Sequence, residues 1–431
     1  MKQKQILGLG AAAVVLMGLA VYLSESRKPA AEAPLAGPLA PGLEAGLNEV
    51  KQVVVQAAGG ETITLQRGEA GWGVEEKLGY AADVGKLREL LLNLAQAQRI
   101  EPKTAVEASY PVLGVQDVQA EGASNVLLRV AGAGPELAVI LGQNNSRGAG
   151  TFVRLQGDAQ SWLVDRNLAA EKTASGWLQR DLMDIAANRV TGVEVQPPEG
   201  GPVQIEANSG GEGDFRIANL PSGREPASAF VGDATAGFLS GLRIDDVRRA
   251  EGYTPAEDAQ ATTASFRTRE GMLVAIKAHT AGGETWASFD VSLDEQAAAE
   301  RIQGEQAREA MAHEQALKAA QASSQDDVTQ PSAGGAAVAA KGQIAEADSA
   351  AADASDANTP APSTAAVSAA DLPEPPKAVS DPEADRAERM QALQDEVAAL
   401  RRATEGWVFK IPSFKADNLR RGMDAYLKPK G

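Results

Sequence analysis

Residues 50–56 read VKQVVVQ, and residues 190–196 read VTGVEVQ. The two stretches share four of seven residues at an offset of 140. Apolar residues alternate in both, at Val53 and Val55 and at Val193 and Val195. Alternation of this kind is typical of a β-strand with one buried face. The pair therefore predicts that one strand-rich unit occurs twice in the chain.

The elements that follow each stretch extend the repeat. A second strand aligns Ile63 and Leu65 with Val203 and Ile205, and a third aligns Trp72 and Val74 with Phe215 and Ile217. Apolar residues then recur at helical spacing, at Val84, Leu87, Leu91 and Leu94 and at Val231, Ala234, Phe238 and Leu242. Further strands follow in both copies, so we predict the same element order twice.

The last piece of the second copy is displaced. The first copy closes with SWLVD at 161–165 and a predicted helix, SGWLQRDLMDI, at 175–185. The second copy offers this order only in EGWVFKIPSFKADNLRRGMDAYL, residues 405–427. From Phe152 to Trp162 is ten residues, whereas from Phe289 to Trp407 is 118. Residues 405–428 are therefore predicted to be the closing strand and helix of the second repeat.

These patterns predict an α+β protein of two tandem, diverged repeats, each a mostly antiparallel sheet with packed helices. An N-terminal transmembrane helix and a disordered insert complete the prediction. The predicted segments are a membrane anchor with its flanks (1–28), a flexible tether (29–47), the first repeat domain (48–187), the first part of the second (188–292), an insert (293–404) and the closing piece (405–428).

The insert divides by composition. Residues 293–322 are rich in Ala, Glu and Gln and predict a helix. Residues 323–381 contain no aromatic residue and are predicted to be disordered. Residues 382–403 carry a short heptad-like stripe and predict a second helix, with Asp381 at its start. Two readings are open: a helical hairpin of coiled-coil type, or two marginal helices that fray into a linker.

An uncharged apolar run occupies residues 6–23. As a helix it would be about 27 Å long, close to the thickness of a bilayer core. The positive charges that flank it slightly favour a cytoplasmic N-terminus. The alternative is a signal peptide cleaved near Ala31-Glu32-Ala33. Both readings place the rest of the chain outside the cytoplasm, and the first predicts a single-pass inner-membrane protein whose bulk is periplasmic.

Composition excludes several classes of function. The net charge of −17 argues against a nucleic-acid partner. The chain has no cysteine, which excludes disulfides, thiolate metal sites and cysteine nucleophiles. Its two histidines, His279 and His313, show no ligand or catalytic spacing. We expect no catalytic residue, no metal and no cofactor, and an envelope hydrolase is the least favoured hypothesis.

Tryptophans are the candidate ligand-binding residues, because aromatic rings stack on sugar faces. Repeat-equivalent positions favour core packing for the set as a whole, which is Trp72, Trp162, Trp177, Trp286 and Trp407. Trp72 and Trp286 are the two candidates for binding a glycan or another envelope polymer in a cleft between the repeats.

Several motifs carry a family resemblance. They are GWGVEEKLGYAADVGKLRELLLNL at 71–94, YPVLGV at 110–115, LAVILG with FVR at 152–154, and SWLVD leading to WLQRDLMDI. With these motifs the chain resembles the bacterial family called domain of unknown function 4340, over residues 48–292 and 405–428. The long Ala-rich insert departs from the family pattern.

The resemblance implies a function as well as a fold. Members look like single-span envelope proteins, and many are encoded beside export-type ABC transporters. No enzymatic residues are assigned to them. The resemblance therefore implies a non-enzymatic, membrane-anchored accessory protein of an ABC-type transport or envelope-assembly system, with an ABC-type permease as partner. The alternative is a binding module for an envelope polymer or glycan.

Overall fold

The computed structural model describes residues 37–208, 214–326 and 381–429. The chain divides into two compact units. The larger contains the described residues up to Thr268, Leu273–Ser292 and the residues from Ala399 onward. The smaller contains Arg269–Met272 and the described part of Leu293–Ala398. The predicted anchor, residues 6–23, and most of the predicted disordered tract lie outside the described residues.

Strands dominate the larger unit. The described residues contain β1 (Gln52–Ala57), β2 (Thr62–Gly68), β3 (Gly71–Val74), β4 (Tyr80–Ala81), β5 (Arg99–Pro102), β6 (Val126–Ala131), β7 (Leu137–Asn144), β8 (Thr151–Leu155), β9 (Ser161–Val164), β10 (Asp181–Met183), β11 (Val190–Gln196), β12 (Val203–Ala207), β13 (Phe215–Ile217), β14 (Leu242–Arg243), β15 (Asp246–Arg249), β16 (Gln260–Thr268), β17 (Met272–Ala281), β18 (Glu284–Leu293) and β19 (Trp407–Ile411).

Helices are fewer, and most are short. They are α1 (Leu43–Gly46), α2 (Val84–Gln96), α3 (Tyr110–Leu113), α4 (Asp233–Ala236), α5 (Glu295–Asp326), α6 (Pro382–Thr404) and α7 (Ser413–Arg420). Short 3-10 turns connect several of them, at Leu47–Glu49, Glu75–Lys77, Glu107–Ser109, Ala174–Trp177, Ala187–Arg189, Gly237–Leu239 and Met423–Tyr426. Large antiparallel sheets with several helices make this an α+β protein, as predicted.

The first sheet has nine strands in the order β4-β3-β2-β1-β6-β7-β8-β9-β5, and its pairs are antiparallel. In β1 the residues at alternating positions are buried, including Val53 and Val55. Helix α2 begins after Asp83, whose Oδ1 accepts a hydrogen bond from the Lys86 amide at 2.9 Å. This N-cap satisfies one of the amides at the helix start. The helix then buries one apolar face, which includes Leu87 and Leu94.

The second sheet has eight strands in the order β13-β12-β11-β16-β17-β18-β19-β15. Strand β19 lies between β18 and β15, and Phe409 is opposite Ala287 on one side and Val247 on the other. The Phe409 side chain is completely buried. A strand close to the C-terminus therefore supplies an interior position of a sheet whose other strands precede residue 294.

Residues 37–47 differ from the prediction of a flexible tether. Leu39 and Leu43 are buried, and the Leu39 amide donates to the Ala97 carbonyl at 2.8 Å. Pro38 and Gln98 form an isolated antiparallel bridge. The physical reason is that the leucines of this Pro- and Gly-rich stretch cover apolar surface beside the end of α2, which composition alone does not reveal.

Two predicted helices are also corrected. Residues 175–185 contain the end of a 3-10 turn and strand β10, which pairs with β14. Pairing with β14 satisfies backbone groups there that a helix would have bonded within itself. The helix predicted from Val231 to Leu242 is also shorter, because α4 ends at Ala236 and Leu242 lies in β14. Glycines before and after α4, Gly232 and Gly237, weaken that helix.

Most of the smaller unit is a pair of contacting helices, α5 and the part of α6 up to Ala398. Helix α6 begins at Pro382, and Asp381 Oδ1 accepts from the amides of Glu383 and Ala384 at 3.0 and 3.1 Å. Arg389 of α6 forms ion pairs with Glu309 of α5 at 2.8 Å and with Asp385 at 2.9 Å.

The two helices run in opposite directions. Near one end Gln394 of α6 contacts Glu295 of α5, and near the other Gln306 of α5 donates to Asp385 of α6 at 2.6 Å. The described helices therefore form an antiparallel hairpin, which was one of the two readings of the insert.

Tyr80 lies where the two sheets of the larger unit meet. Its ring contacts Trp407 of β19 edge-to-face, with centroids 5.0 Å apart, and Phe409 at 6.0 Å. Nearby, Lys77 pairs with Asp246 at 2.6 Å. Burial raises the pKa of the Tyr80 phenol to about 12.

The raised pKa of Tyr80 predicts a loss of stability at alkaline pH. The pKa of Tyr80 in the folded protein exceeds the ordinary value of 10.0, which applies to the unfolded chain. The unfolded chain therefore loses its proton first, and the free energy of unfolding, unaffected below pH 10, falls as the pH rises toward 12. In the wild type this titration should lower the free energy of unfolding by about 2 to 3 kcal/mol between pH 9 and pH 12. Tyr80→Phe should not show this decrease. Urea unfolding at both pH values measures it. Tyr253→Phe, at a less buried phenol, is the control, and an unchanged pH dependence in Tyr80→Phe would contradict the prediction.

Candidate ligand groove

A groove of about 500 Å³ opens on the first sheet beside α2. We call it the Trp72 groove and define it by six of its lining residues, Leu47, Arg67, Trp72, Val84, Arg88 and Leu92. Its walls come from the β2-β3 hairpin, helix α2, and α1 with the 3-10 turn that follows it. Apolar and cationic side chains therefore line the same opening.

The β2-β3 hairpin sets one wall. Its register places Arg67 opposite Trp72 and Gly68 opposite Gly71. Residues directly opposite each other in antiparallel strands project from the same face of the sheet. The hairpin therefore holds a guanidinium beside a half-buried indole, and this pairing depends on the register.

Helix α2 sets the other wall. Val84, Arg88 and Leu92 are spaced four residues apart, so they follow one another along one side of the helix. Val84 is 50% exposed and Leu92 is 38% exposed. Helix α2 thus buries one apolar face in the fold and presents Val84, Arg88 and Leu92 to the groove.

The groove carries positive charge that the described structure does not neutralise. Arg67 Nη1 donates to the Asn48 carbonyl at 2.6 Å, which fixes the guanidinium at the rim. Within the described part of the chain, no carboxylate forms an ion pair with Arg67 or Arg88. Glu44 also lines the groove, and its Oε1 accepts from Gln96 Nε2 at 3.3 Å. A ligand with anionic and apolar parts would match this surface.

Trp286, the second candidate, lies in a different setting on β18 of the second sheet. It is 7% exposed, and the guanidinium of Arg248 lies over its ring at 4.0 Å. Its Nε1 donates to Glu284 at 3.4 Å. The hydrogen bond from Lys410 lowers the pKa of Glu284. The structure does not place Trp286 in the Trp72 groove, and its ring lacks the exposed face that stacking on a sugar needs.

The other tryptophans contribute to packing. Trp177 is completely buried, and Trp407 is 8% exposed under the guanidinium of Arg249 at 3.7 Å. Trp162 is half-buried, and Arg99 lies over its ring at 5.2 Å. Trp72 is therefore the half-buried tryptophan in the groove, whereas Trp177, which borders a second hollow, is fully buried.

The two histidines of the chain lie in separate elements. His279 lies in β17, and His313 lies in α5. Across the described ranges, no three His, Cys, Asp or Glu side chains are grouped so that they could hold a metal ion.

Arg154 is a residue that sequence reasoning missed. It is 5% exposed, and its guanidinium donates to the Val115 carbonyl at 2.8 Å, to the Asp158 carbonyl at 3.0 Å and to Asp117 Oδ1 at 2.7 Å. It also lies over the Tyr110 ring at 4.6 Å. Arg154, the last residue of the FVR motif, therefore contacts the first and last residues of the YPVLGV motif. An arginine within the mostly apolar strand segment TFVRL was the available signal.

No helix in the described residues combines the length and the apolar character that crossing a membrane requires. The apolar run at 6–23 lies outside those residues.

Comparison with known proteins gives one match. Residues 72–264 match the profile of a family described as "Domain of unknown function (DUF4340)". The matched range begins at Trp72, includes α2 and reaches into β16. No curated protein and no solved structure matches the chain.

Proposed function

Residues 72–264 belong to the DUF4340 family, and from that premise we propose that this chain is a non-enzymatic accessory protein of an ABC-type transport or envelope-assembly system. In this proposal residues 6–23 anchor it in the bacterial inner membrane, its N-terminus is cytoplasmic, and its bulk is periplasmic. It presents the Trp72 groove to a partner or ligand. The association with a transporter follows family analogy, which is a weaker argument than a site.

The Trp72 groove is the observation that carries the proposal of a binding role. A half-buried indole, two exposed aliphatic side chains and two arginines line it. Exposed apolar groups beside cations in a concave surface are typical of a binding site.

We also propose that the two sheets are diverged copies of one unit. The order β3-β2-β1-β6-β7-β8-β9-β5 in the first sheet corresponds strand by strand to the order of the second. The last pair is equivalent too, because β5 pairs with β9 and β15 pairs with β19. In this interpretation the helical hairpin is an insertion between the last two strands of the second copy's meander.

Purification of the tagged full chain from its native membrane in a mild detergent tests the accessory role. We expect a permease or an ATPase to be recovered with it. The double variant Arg67→Gln/Arg88→Gln should recover less of that partner at equal yield of the chain. Recovery of neither protein with the unmodified chain would overturn the proposed association.

A glycan-binding module is the second candidate function, and the half-buried Trp72 ring with Asn48 and Glu44 beside it favours this. Aromatic faces and hydrogen-bonding side chains together bind sugars. We expect Trp72→Ala to reduce retention of the chain on purified cell-wall sacculi at least fivefold. Phe230→Ala, at a 62% exposed aromatic residue outside the groove, is the matched control. Equal retention of both variants would exclude the groove as a glycan site.

A further inference from the structure

The position of the Trp72 groove along the chain limits what it can reach. The Leu39 amide is hydrogen-bonded to the Ala97 carbonyl next to the end of α2. A few residues later, Glu44 and Leu47 line the groove. Only residues 24–36 separate the apolar run 6–23 from the first described residue. Thirteen residues span about 45 Å at most. A bilayer that holds residues 6–23 therefore lies within reach of the groove.

The charge around the groove is opposite in sign to that of the whole chain. The net charge of the chain is −17. Arg67 also lines a neighbouring hollow with Lys51 and Glu49, so the local charges are three cations, Arg67, Arg88 and Lys51, and two carboxylates, Glu44 and Glu49. Guanidinium groups bind phosphate in bidentate fashion. These lining charges sum to +1, on a chain whose net charge is −17.

The apolar residues of the groove are of the types found at the boundary between lipid and water. Tryptophan is enriched at the boundary between lipid and water, where the ring is apolar and its N–H is polar. Val84 and Leu92 lie on the same opening and are exposed. Surfaces that combine arginine or lysine with tryptophan and aliphatic side chains bind anionic bilayers.

We propose that the Trp72 groove docks on the anionic phospholipid surface of the membrane that holds residues 6–23. Arg67 and Arg88 bind lipid phosphates, and Trp72, Val84 and Leu92 enter the region of the glycerol and upper acyl groups. The proposal rests on the membrane anchoring in the proposed function. It adds that the larger unit has a fixed face toward the bilayer, which orients the first sheet.

The absence of cysteine allows a direct test with single labels in the full chain. Val84→Cys and Val112→Cys each receive a nitroxide, and the chain is placed in nanodiscs of phosphatidylglycerol or of phosphatidylcholine. Val112 is 74% exposed and lies in α3, outside the groove, so it is the matched control. The readout is the ratio of collisions with oxygen, which partitions into lipid, to collisions with a water-soluble nickel complex.

We expect the ratio at Val84 to rise at least threefold in phosphatidylglycerol over phosphatidylcholine, and the ratio at Val112 to stay constant. Arg67→Gln/Arg88→Gln should abolish the rise. Unlabelled protein gives a second measurement: acyl-brominated phosphatidylglycerol should quench tryptophan emission in the wild type and less in Trp72→Phe. An unchanged Val84 ratio together with equal quenching would overturn the docking proposal.

Other outcomes separate the two proposals. If the chain does not elute with the discs, the anchoring is overturned. Phosphatidylglycerol vesicles can then be added to the labelled chain, and the nitroxide at position 84 still measures lipid contact. A chain that enters the discs while Val84 stays in water overturns only the docking. A Val84 signal that responds to soluble anionic glycan and not to lipid also overturns it and favours the glycan-binding function.

Discussion

A chain that ends at Thr404 is expected to lose its second sheet. The deletion removes β19, whose neighbours β18 and β15 then face each other across the width of a missing strand. It also removes a set of buried side chains, namely Trp407, Val408, Phe409, Ile411, Leu419 and Tyr426. At about 1.5 to 3 kcal/mol for each, their loss is comparable with the whole stability of a domain.

Circular dichroism and hydrogen exchange measure this loss. We expect rapid exchange in β15 to β18 of the truncated chain and retained protection in β1 and β6 to β8. A chain that lacks only residues 428–431 is the control. Lys428 is exposed where it pairs with Glu225 and exchanges hydrogen bonds with residues 224 and 225, so its removal should cost little stability beside the loss of β19. Full protection of β18 in the chain that ends at Thr404 would show that β19 is dispensable.

Replacement of Arg154 by alanine should destabilise the first sheet by about 3 kcal/mol. Hydrogen bonds from a charged group contribute about 1.5 to 3 kcal/mol each, and a carbonyl left unbonded in the interior costs a similar amount. The substitution removes the donors to the Val115 and Asp158 carbonyls and uncovers the Tyr110 ring. Arg154→Lys should recover little, since one ammonium group cannot reproduce three directed N–H donors.

Urea unfolding followed by tryptophan fluorescence measures the effect of the Arg154 substitution. Arg129→Ala is the matched control, because Arg129 also lies on a strand of the first sheet but pairs with Glu136 at the surface, at 3.8 Å. We expect that control to lose under about 1 kcal/mol. Equal losses in the two variants would refute the idea that Arg154 joins α3 to β8.

Sequence patterns were sufficient for the strands with alternating apolar residues and insufficient where contacts between distant residues decide the conformation. Alternation predicted β1 and β11, and the order of elements led from SWLVD to β19. Residues 37–47 lack such a pattern, since their conformation depends on surface next to α2. Residues 175–185 have helical spacing, yet β14 offers a partner strand, with Asp181 opposite Arg243, which is 62 residues away.

The candidate groove was only half predictable. Trp72 was identified from its residue type, and α2 from its periodicity. Arg67 joins Trp72 because the β2-β3 hairpin has one particular register, and a shift by one residue would move the guanidinium to the other face. Trp286 has the same residue type, but Arg248 and the sheet cover it. Residue type indicates which side chains are suited to contact a ligand. Whether such a side chain is exposed to a ligand depends on tertiary packing.

The late position of β19 has a consequence for the order of folding. In the first sheet, the pairing of β5 with β9 joins Arg99 and Val164, which are 65 residues apart. In the second, the pairing of β15 with β19 joins Val247 and Phe409, which are 162 residues apart. Closing a longer loop costs more entropy and slows folding. During synthesis the first sheet can form while the ribosome is still producing the insert, but β15 must wait for nearly the last residues of the chain.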